Sequence, residues 1–380
     1  MTRILIAGSG VAAVETALAL RALGDERLQI DLLAPAAELH ERPWSVLMPF
    51  GADAAPRIDL SGLVRELGLG WRRDSLAAVE PRAHRVLTRG GERLPYDLLV
   101  VATGARSQES IPGAVTFRGP LNAGVVEGVL DRAAREPQLR LVFTAPAGAT
   151  WPLPLYELAL MSSESLRERK GANPRITVVT GETQPLQVLG ADAVDAVRSA
   201  LEHYDIQVMT GAVPEVATEG GLWLRGGGLV DADVVVALGE IVGPRIAGLP
   251  HDDAGFIPVD EHGRVRGCED VFAAGDATSF LVKHGSLATQ QADAVAETIA
   301  VRAGDALSAA PFRPVVRAML LAGDGPLYIS ADLATGAGVV SSDPLWSPVD
   351  KIAGRYLSPY LASGAATGAT LDITPQPART

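Results

Sequence analysis

The chain has 380 residues, enough for two or three domains, each with its own core. Its formal net charge of −12 leaves no basic stripe for phosphate contacts, which argues against nucleic acid as a partner. One cysteine, Cys268, excludes an internal disulfide, a redox dithiol and a thiolate-rich zinc site, and no metal is expected. No apolar run approaches the ~20 residues that span a bilayer, so no transmembrane anchor is expected. The opening "MTRILIAGSG" goes straight into a strand and a glycine turn, without the parts of a signal peptide. The expectation is a cytoplasmic protein. Arginine outnumbers lysine thirty to three, which draws attention to Lys170, Lys283 and Lys351.

In chain order, residues 3–7 read as a strand, 8–10 as a glycine turn, 11–23 as a helix and 28–33 as a strand. This is a βαβ unit with the near-continuous apolar strands of a buried parallel sheet. Residues 60–68 form a short amphipathic helix, and 71–94 an antiparallel hairpin or crossover around "RGGE". "YDLLVVATG" is another buried strand ending in a turn. A second alternating unit begins near 139: "LRLVF" strand, "PLYELALMSSESLRE" helix, "RITVVTGE" strand, "ADAVDAVRSALEHY" helix, "IQVMTGAV" strand, closed by "ADVVVALG". "DVFAAGDAT" gives one more buried strand before a long helix over 285–303. From 311 onward two or three short strands and a helix near 350–362 are expected, followed by a loose tail.

The first glycine turn is Gly8-x-Gly10-x-x-Ala13, with Val11 and Ala12 between. Gly8 permits the tight turn, Gly10 lets the backbone approach a pyrophosphate, and Ala13 keeps the helix close to the sheet. The helix N-terminus then faces the anion. A purely structural turn is the alternative reading. The acid that would hold a ribose, about 20 residues on, falls at Ala34. Glu38 or Glu41 stands in for it, or both are solvated loop charges.

Four motifs in order, "GSGVAAVE", "YDLLVVATGA", "GCEDVFAAGDAT" and "KHGSLATQQADAVAETIA", carry a family likeness. The series resembles the FAD-binding half of the pyridine nucleotide–disulfide oxidoreductase superfamily, in the branch of sulfide:quinone and type II NADH:quinone oxidoreductases. The resemblance covers roughly residues 1–310. It implies an α/β fold with two Rossmann-like dinucleotide-binding domains and a small C-terminal α+β region. The expected divisions are 1–112 (FAD-binding, first part), 113–242 (a degenerate NAD(P)-like domain), 243–310 (FAD-binding, second part) and 311–380. FAD is the implied cofactor, held by Gly8, Gly10, Val11, Ala12, Ala13 and the Ala34 turn. Arg42 and Pro43 of "ERP" would lie near the isoalloxazine ring, Leu76 and Ala77 would pass the adenine, and Thr103 and Gly104 would pack beside the cofactor. Gly275 and Asp276 would meet the ribityl chain, an N-cap being the other reading of the acid. Gly285 and Leu287 begin the helix aimed at the pyrimidine edge, where its positive end stabilises an anionic ring. Lys283 adds positive charge there or is a solvated loop residue, and His284 relays a proton or stands by.

Two features of the branch are missing. The paired cysteines of the sulfide enzymes are absent, so sulfide oxidation by that route is excluded. The second glycine fingerprint is replaced by "FTAPAGATWPLPLYELA", with three prolines that offer a phosphate no N–H. Tight NAD(P)H binding in the usual pose is not expected, a loose or inverted pose being left open. Glu182 holds the second ribose-acid position and reads as a relic or a surface charge. Trp151, Pro152 and Pro154 would wall a pocket for a flat apolar molecule. Glu157 faces that pocket or serves the helix dipole, and Tyr156 is a further pocket candidate. The segment with Trp346, Lys351, Tyr356 and Tyr360 covers the flavin or forms a homodimer contact. The expected function is an FAD-dependent oxidoreductase passing a hydride or two electrons from a small donor to a quinone-like or other small apolar acceptor. Lys283, Glu157 and Trp151 are its candidate catalytic residues. The alternatives are a flavin-holding module without turnover and an NAD(P)H-dependent reductase with a nonstandard nicotinamide site.

Overall fold

In the computed structural model the described residues are 1–363, without 25–26, 53–56, 170–173, 306–307 and 324. Lys170 and nearly all of the expected loose tail lie outside them. The helices are α1 (Val11–Gly24), α2 (Leu60–Glu66), α3 (Ala123–Arg135), α4 (Leu153–Glu168), α5 (Ala191–His203), α6 (Gly285–Arg302) and α7 (Leu357–Ala362).

The first sheet has five parallel strands in the order Val271–Ala273, Leu98–Val101, Thr2–Ala7, Leu28–Leu33 and Gly70–Arg72. Its strands are apolar on both faces because both are covered. Ile4, Ile6, Leu98 and Val100 pack under α1 and α6 through Ala13, Ala17, Ala292 and Val295. Leu5, Ala7, Leu99 and Val101 pack on the other side against Val79, Val86 and Leu94 of an antiparallel three-stranded sheet. That sheet, Leu76–Glu80, Arg85–Thr88 and Arg93–Pro95, is the hairpin reading over 71–94.

The second sheet is again five parallel strands: Val115–Phe117, Val234–Leu238, Arg140–Thr144, Arg175–Val179 and Gln207–Met209. Phe143 and Val178 face a core shared with α3, α4 and α5, while Val142, Val179 and Val235 face Leu222 on the opposite side. An antiparallel pair, Arg106–Gln108 with Glu240–Val242, runs between the two units where the chain crosses and returns.

Three elements differ from expectation. Helix α3 went unread, although Val126, Val129, Leu130 and Ala133 are buried at helical spacing. The short C-terminal strands are two eight-residue strands, Val315–Ala322 and Gly325–Asp332, plus Gly338–Ser341, in one antiparallel sheet. Val316, Ala318 and Leu320 join the same core as Leu155, Leu158 and Ala159 of α4. The helix expected near 350–362 shrinks to α7, which leaves 350–356 irregular.

Candidate functional site

The turn after the first strand places the site. Gly8 has φ +136°, and a Cβ there would lie 2.1 Å from the Ala102 carbonyl oxygen. Its N–H donates to Leu33 O at 3.0 Å, and Val14 N–H donates to Gly10 O at 3.1 Å as α1 begins. A Cβ at Gly10 would meet nothing within 4 Å, so that position opens onto free space. The space is a cleft of about 680 Å³.

Gly8, Gly10, Val11, Ala12, Arg42, Pro43, Leu76, Ala77, Thr103, Gly104, Gly275, Asp276 and Gly285 all line this cleft, together with Trp151, Glu157 and Lys283. Three residues expected at the cofactor do not. Ala13 is fully buried between α1 and the sheet. Ala34 is fully buried too, its N–H donating to Arg72 O and its carbonyl accepting from the Trp71 indole at 3.1 Å. Leu287 points into the core shared with the second unit. Of the substitute acids, Glu38 lines the cleft and pairs with Arg57, whereas Glu41 is buried outside it.

Cations crowd the cleft of this acidic protein. Arg42, Arg89, Arg106, Arg245, Lys283 and Lys351 line it against the acids Glu38, Glu157 and Asp276. Lys283 is buried, donates to the carbonyls of Thr278 and Phe280 (2.7 Å to the latter), and sits 3.9 Å from the Phe256 ring centre. Burial pushes its pKa down to about 8, against the pull of Asp276 and Asp252. Asp276 is raised by burial, opposed by Lys283 and Arg42.

Trp151 packs on the His284 ring at 4.6 Å between centres. His284 caps α6: its Nδ1 accepts from Ser286 N–H at 3.2 Å and lies 2.8 Å from the Ser286 hydroxyl. Burial and the Lys351 charge push it down to about 3, so the ring is neutral near pH 7. Glu157 Oε1 accepts from Lys351 Nζ at 2.5 Å and from Leu321 N–H at 3.0 Å. Side-chain exposures of 4% and 1% make Lys351–Glu157 a buried ion pair. Lys351 Nζ also donates to Pro43 O at 3.4 Å and lies 5.6 Å from the Trp44 ring centre. Burial raises Glu157 and lowers Lys351, each opposed by the other's charge. The sequence marks Lys351 by its rarity and by its place in the segment expected to cover the flavin or form a dimer contact. Its partner is 194 residues away, so no local signal reveals the pair.

The second βαβ turn is arranged otherwise. Gly148 keeps a left-handed φ of +71°, but α4 opens at Leu153 behind Pro152, and Trp151, Leu153 and Pro154 face the first cleft. Tyr156, expected in the pocket, is fully buried away from it. Its hydroxyl donates to Glu182 Oε2 at 2.5 Å, and Thr180 donates to the same oxygen at 3.2 Å. Glu182 is thus a half-buried hydrogen-bond acceptor for Tyr156 of α4 and for Thr180. Cys268 packs partly against the first sheet's outer core.

Two parallel nucleotide folds, a glycine turn opening onto a cleft and a preponderance of cations around it fit a dinucleotide diphosphate. Together they define a flavin-dependent oxidoreductase of the two-Rossmann-fold class. The family model for pyridine nucleotide-disulphide oxidoreductases matches residues 157–292. The ferredoxin–NAD(+) reductase component of the anthranilate 1,2-dioxygenase system of Burkholderia cepacia is 31% identical over 298 residues, covering 72% of this chain and 67% of that protein. An NADH dehydrogenase-like protein of Mycobacterium tuberculosis is 25% identical over 298 residues, 73% of each chain. The sulfide:quinone oxidoreductase of Aquifex aeolicus shares the fold with a TM-score of 0.82 at 18% identity, covering 90% of this chain and 87% of that one. The chain belongs to the pyridine nucleotide-disulphide oxidoreductase family, is an oxidoreductase and takes FAD as its cofactor. Among the described residues no helix is long and apolar enough to cross a membrane.

Proposed function

We propose that this oxidoreductase passes a hydride or two electrons from a small donor to a quinone-like or other small apolar acceptor without a redox disulfide. The observation that carries the reading is the Trp151–His284–Pro154 wall, closed by the Lys351–Glu157 pair, beside the cleft. A flat apolar molecule suits such a wall, and the single cysteine supports electron passage without a dithiol. Bound FAD supplies the two-electron chemistry. For the chain itself, the reading assigns residues 1–112 and 243–310 to holding the cofactor, 113–242 to the second unit and 311–380 to the C-terminal region. Gly8 and Gly10 admit the diphosphate. Asp276 accepts from sugar hydroxyls. Lys283 and the start of α6 place positive charge at the ring, and Trp151 excludes water.

NAD(P)H as the donor is the second reading. The names of the Burkholderia and Mycobacterium relatives favour it. Against a conventional pose stands Glu182, one of whose carboxylate oxygens, Oε2, already accepts from Tyr156 and Thr180. One experiment separates the two. The oxidised protein is mixed anaerobically with NADH, NADPH, quinols and sulfide, and bleaching of the flavin is followed before reoxidation by quinone. Rapid bleaching by quinols or other small donors, with recovery on quinone, supports the first reading. Rapid saturable bleaching by NADH supports the second, and failure of quinone to reoxidise sinks the acceptor assignment.

A further inference from the structure

A second cavity, of about 580 Å³, shares no lining residue with the flavin cleft. Its walls come from α6, from the segment entering the Val315–Ala322 strand and from the stretch between Trp346 and Pro359. Gln290 of α6 fastens that strand in place. Its Nε2 donates to Ser286 O and Val315 O at 2.7 Å each, and its Oε1 accepts from Val315 N–H at 3.1 Å. Strand alternation turns Val316 and Ala318 into the core and leaves Val315 and Arg317 lining the cavity. Among the charged lining groups, Arg355 and Glu297 pair at 3.1 Å. Arg313, exposed, and Arg317, half-buried, have no hydrogen-bond or ion-pair partner for their guanidiniums among the described residues. Asp293 Oδ1, on the α6 wall, is buried and also lacks a hydrogen-bond partner. Protonated or not, a carboxyl group keeps an oxygen that accepts, and a buried acceptor left without a donor is costly. The apolar part of the lining is held rigid. Phe312 packs edge-on against Phe280 at 5.1 Å between centres and Trp346 against Tyr328 at 5.4 Å, while the Trp346 indole donates to Asp350 O at 2.9 Å.

We propose that this second cavity binds an amino acid with an apolar side chain. Two guanidiniums without an acid call for a carboxylate, which Arg313 and Arg317 take by charge-assisted hydrogen bonds. The orphaned Asp293 Oδ1 calls for a donor, which the ammonium group supplies. Phe312 and Trp346 receive the apolar body, and the volume is that of a small-molecule site. A simple anion leaves Asp293 unmet, and a simple amine leaves both arginines unmet. Only a molecule carrying both groups satisfies the whole lining. No residue of the flavin cleft takes part, so the site stands whether or not the acceptor is a quinone.

The test is calorimetric titration of the flavin-loaded protein with L-phenylalanine, L-tryptophan and L-leucine, beside phenethylamine and 3-phenylpropionate, which each lack one charged group. At least one amino acid is expected to bind, and each truncated analogue to bind on the order of 10-fold more weakly than L-phenylalanine or not at all. Arg317→Met and Asp293→Leu should each weaken amino acid binding by about 10-fold or more, with Asp293→Asn, which keeps an acceptor oxygen, recovering part of the loss. Flavin content and melting temperature are followed in every variant. Arg313→Met, at an exposed position, serves as the folded variant if the half-buried ones fail, and it too should weaken binding. Binding by none of the three amino acids would overturn the proposal. So would undiminished binding in the folded variants, which would put the ligand elsewhere, or 3-phenylpropionate binding as tightly as L-phenylalanine.

Discussion

Gly8 and Gly10 stand two positions apart, yet a side chain at each would fail for a different reason. At Gly8 a Cβ collides with the Ala102 carbonyl in a backbone conformation that side chains rarely adopt. Gly8→Ala should therefore lower the stability of the flavin-free protein by about 1–3 kcal/mol, measured by denaturant unfolding. At Gly10 the new side chain enters only the cleft. Gly10→Val should leave flavin-free stability near wild type and abolish stoichiometric FAD, read from the flavin-to-protein absorbance ratio. Lys351→Met would strand a buried carboxylate and should cost about 3–5 kcal/mol, with the Glu157→Gln/Lys351→Met double variant costing less. Trp151→Ala should change turnover with quinone-like acceptors while flavin content holds. Unaltered kinetics across a panel of donors and acceptors would remove Trp151 from the pocket. Most of these residues were legible singly: Glu157 by its place after a missing fingerprint, Asp276 by the glycine before it. Their partners were not. Tyr156 was misassigned because nothing local says that a helix tyrosine turns toward a strand-end glutamate.

At the level of elements, α1 and α6 pack with alanines between them and one acid pair at their seam. Glu15 of α1 is fully buried and accepts from the N–H groups of Tyr356 and Leu357, at 2.9 and 2.5 Å, as α7 begins. Asp293 of α6 lies beside it. Burial, with Glu15 next to it, lifts Asp293 to about 8, and burial raises Glu15 as well. Raised carboxyls mean that the folded state holds protons the unfolded chain releases. This contribution is complete below an ordinary carboxylate pKa of about 4 and is lost as pH rises to about 8. Asp293→Asn should flatten that fall, so the melting-temperature difference between variant and wild type shifts in the variant's favour between pH 5 and 8. A difference independent of pH would remove Asp293 from the account. The buried parallel strands were legible because apolar runs of that length have few other uses. The length of the C-terminal strands was not, since Gly325 and the polar positions of Gly325–Asp332 interrupt the apolar pattern that pairing completes.

Taken whole, the molecule does not divide where its sequence motifs end. The C-terminal sheet lays Val316, Ala318 and Leu320 into the core of α4 and α5, and Met319 and Lys351 reach the cleft. A chain ending at residue 310 should therefore expose the apolar face of α4 and aggregate, which size-exclusion chromatography would show. A monodisperse, flavin-bearing 1–310 fragment would mean that the C-terminal region only covers the cleft.

Residue order alone determined the first glycine turn, the buried apolar strands and the altered second turn, because each depends on neighbours within a few positions. Tertiary structure alone decided that Lys351 neutralises Glu157 and that Tyr156 donates to Glu182. Those pairings join residues 194 and 26 positions apart. They arise only once sheets and helices have packed, when buried charges and hydroxyls must find partners among whatever side chains the chain's path brings to them.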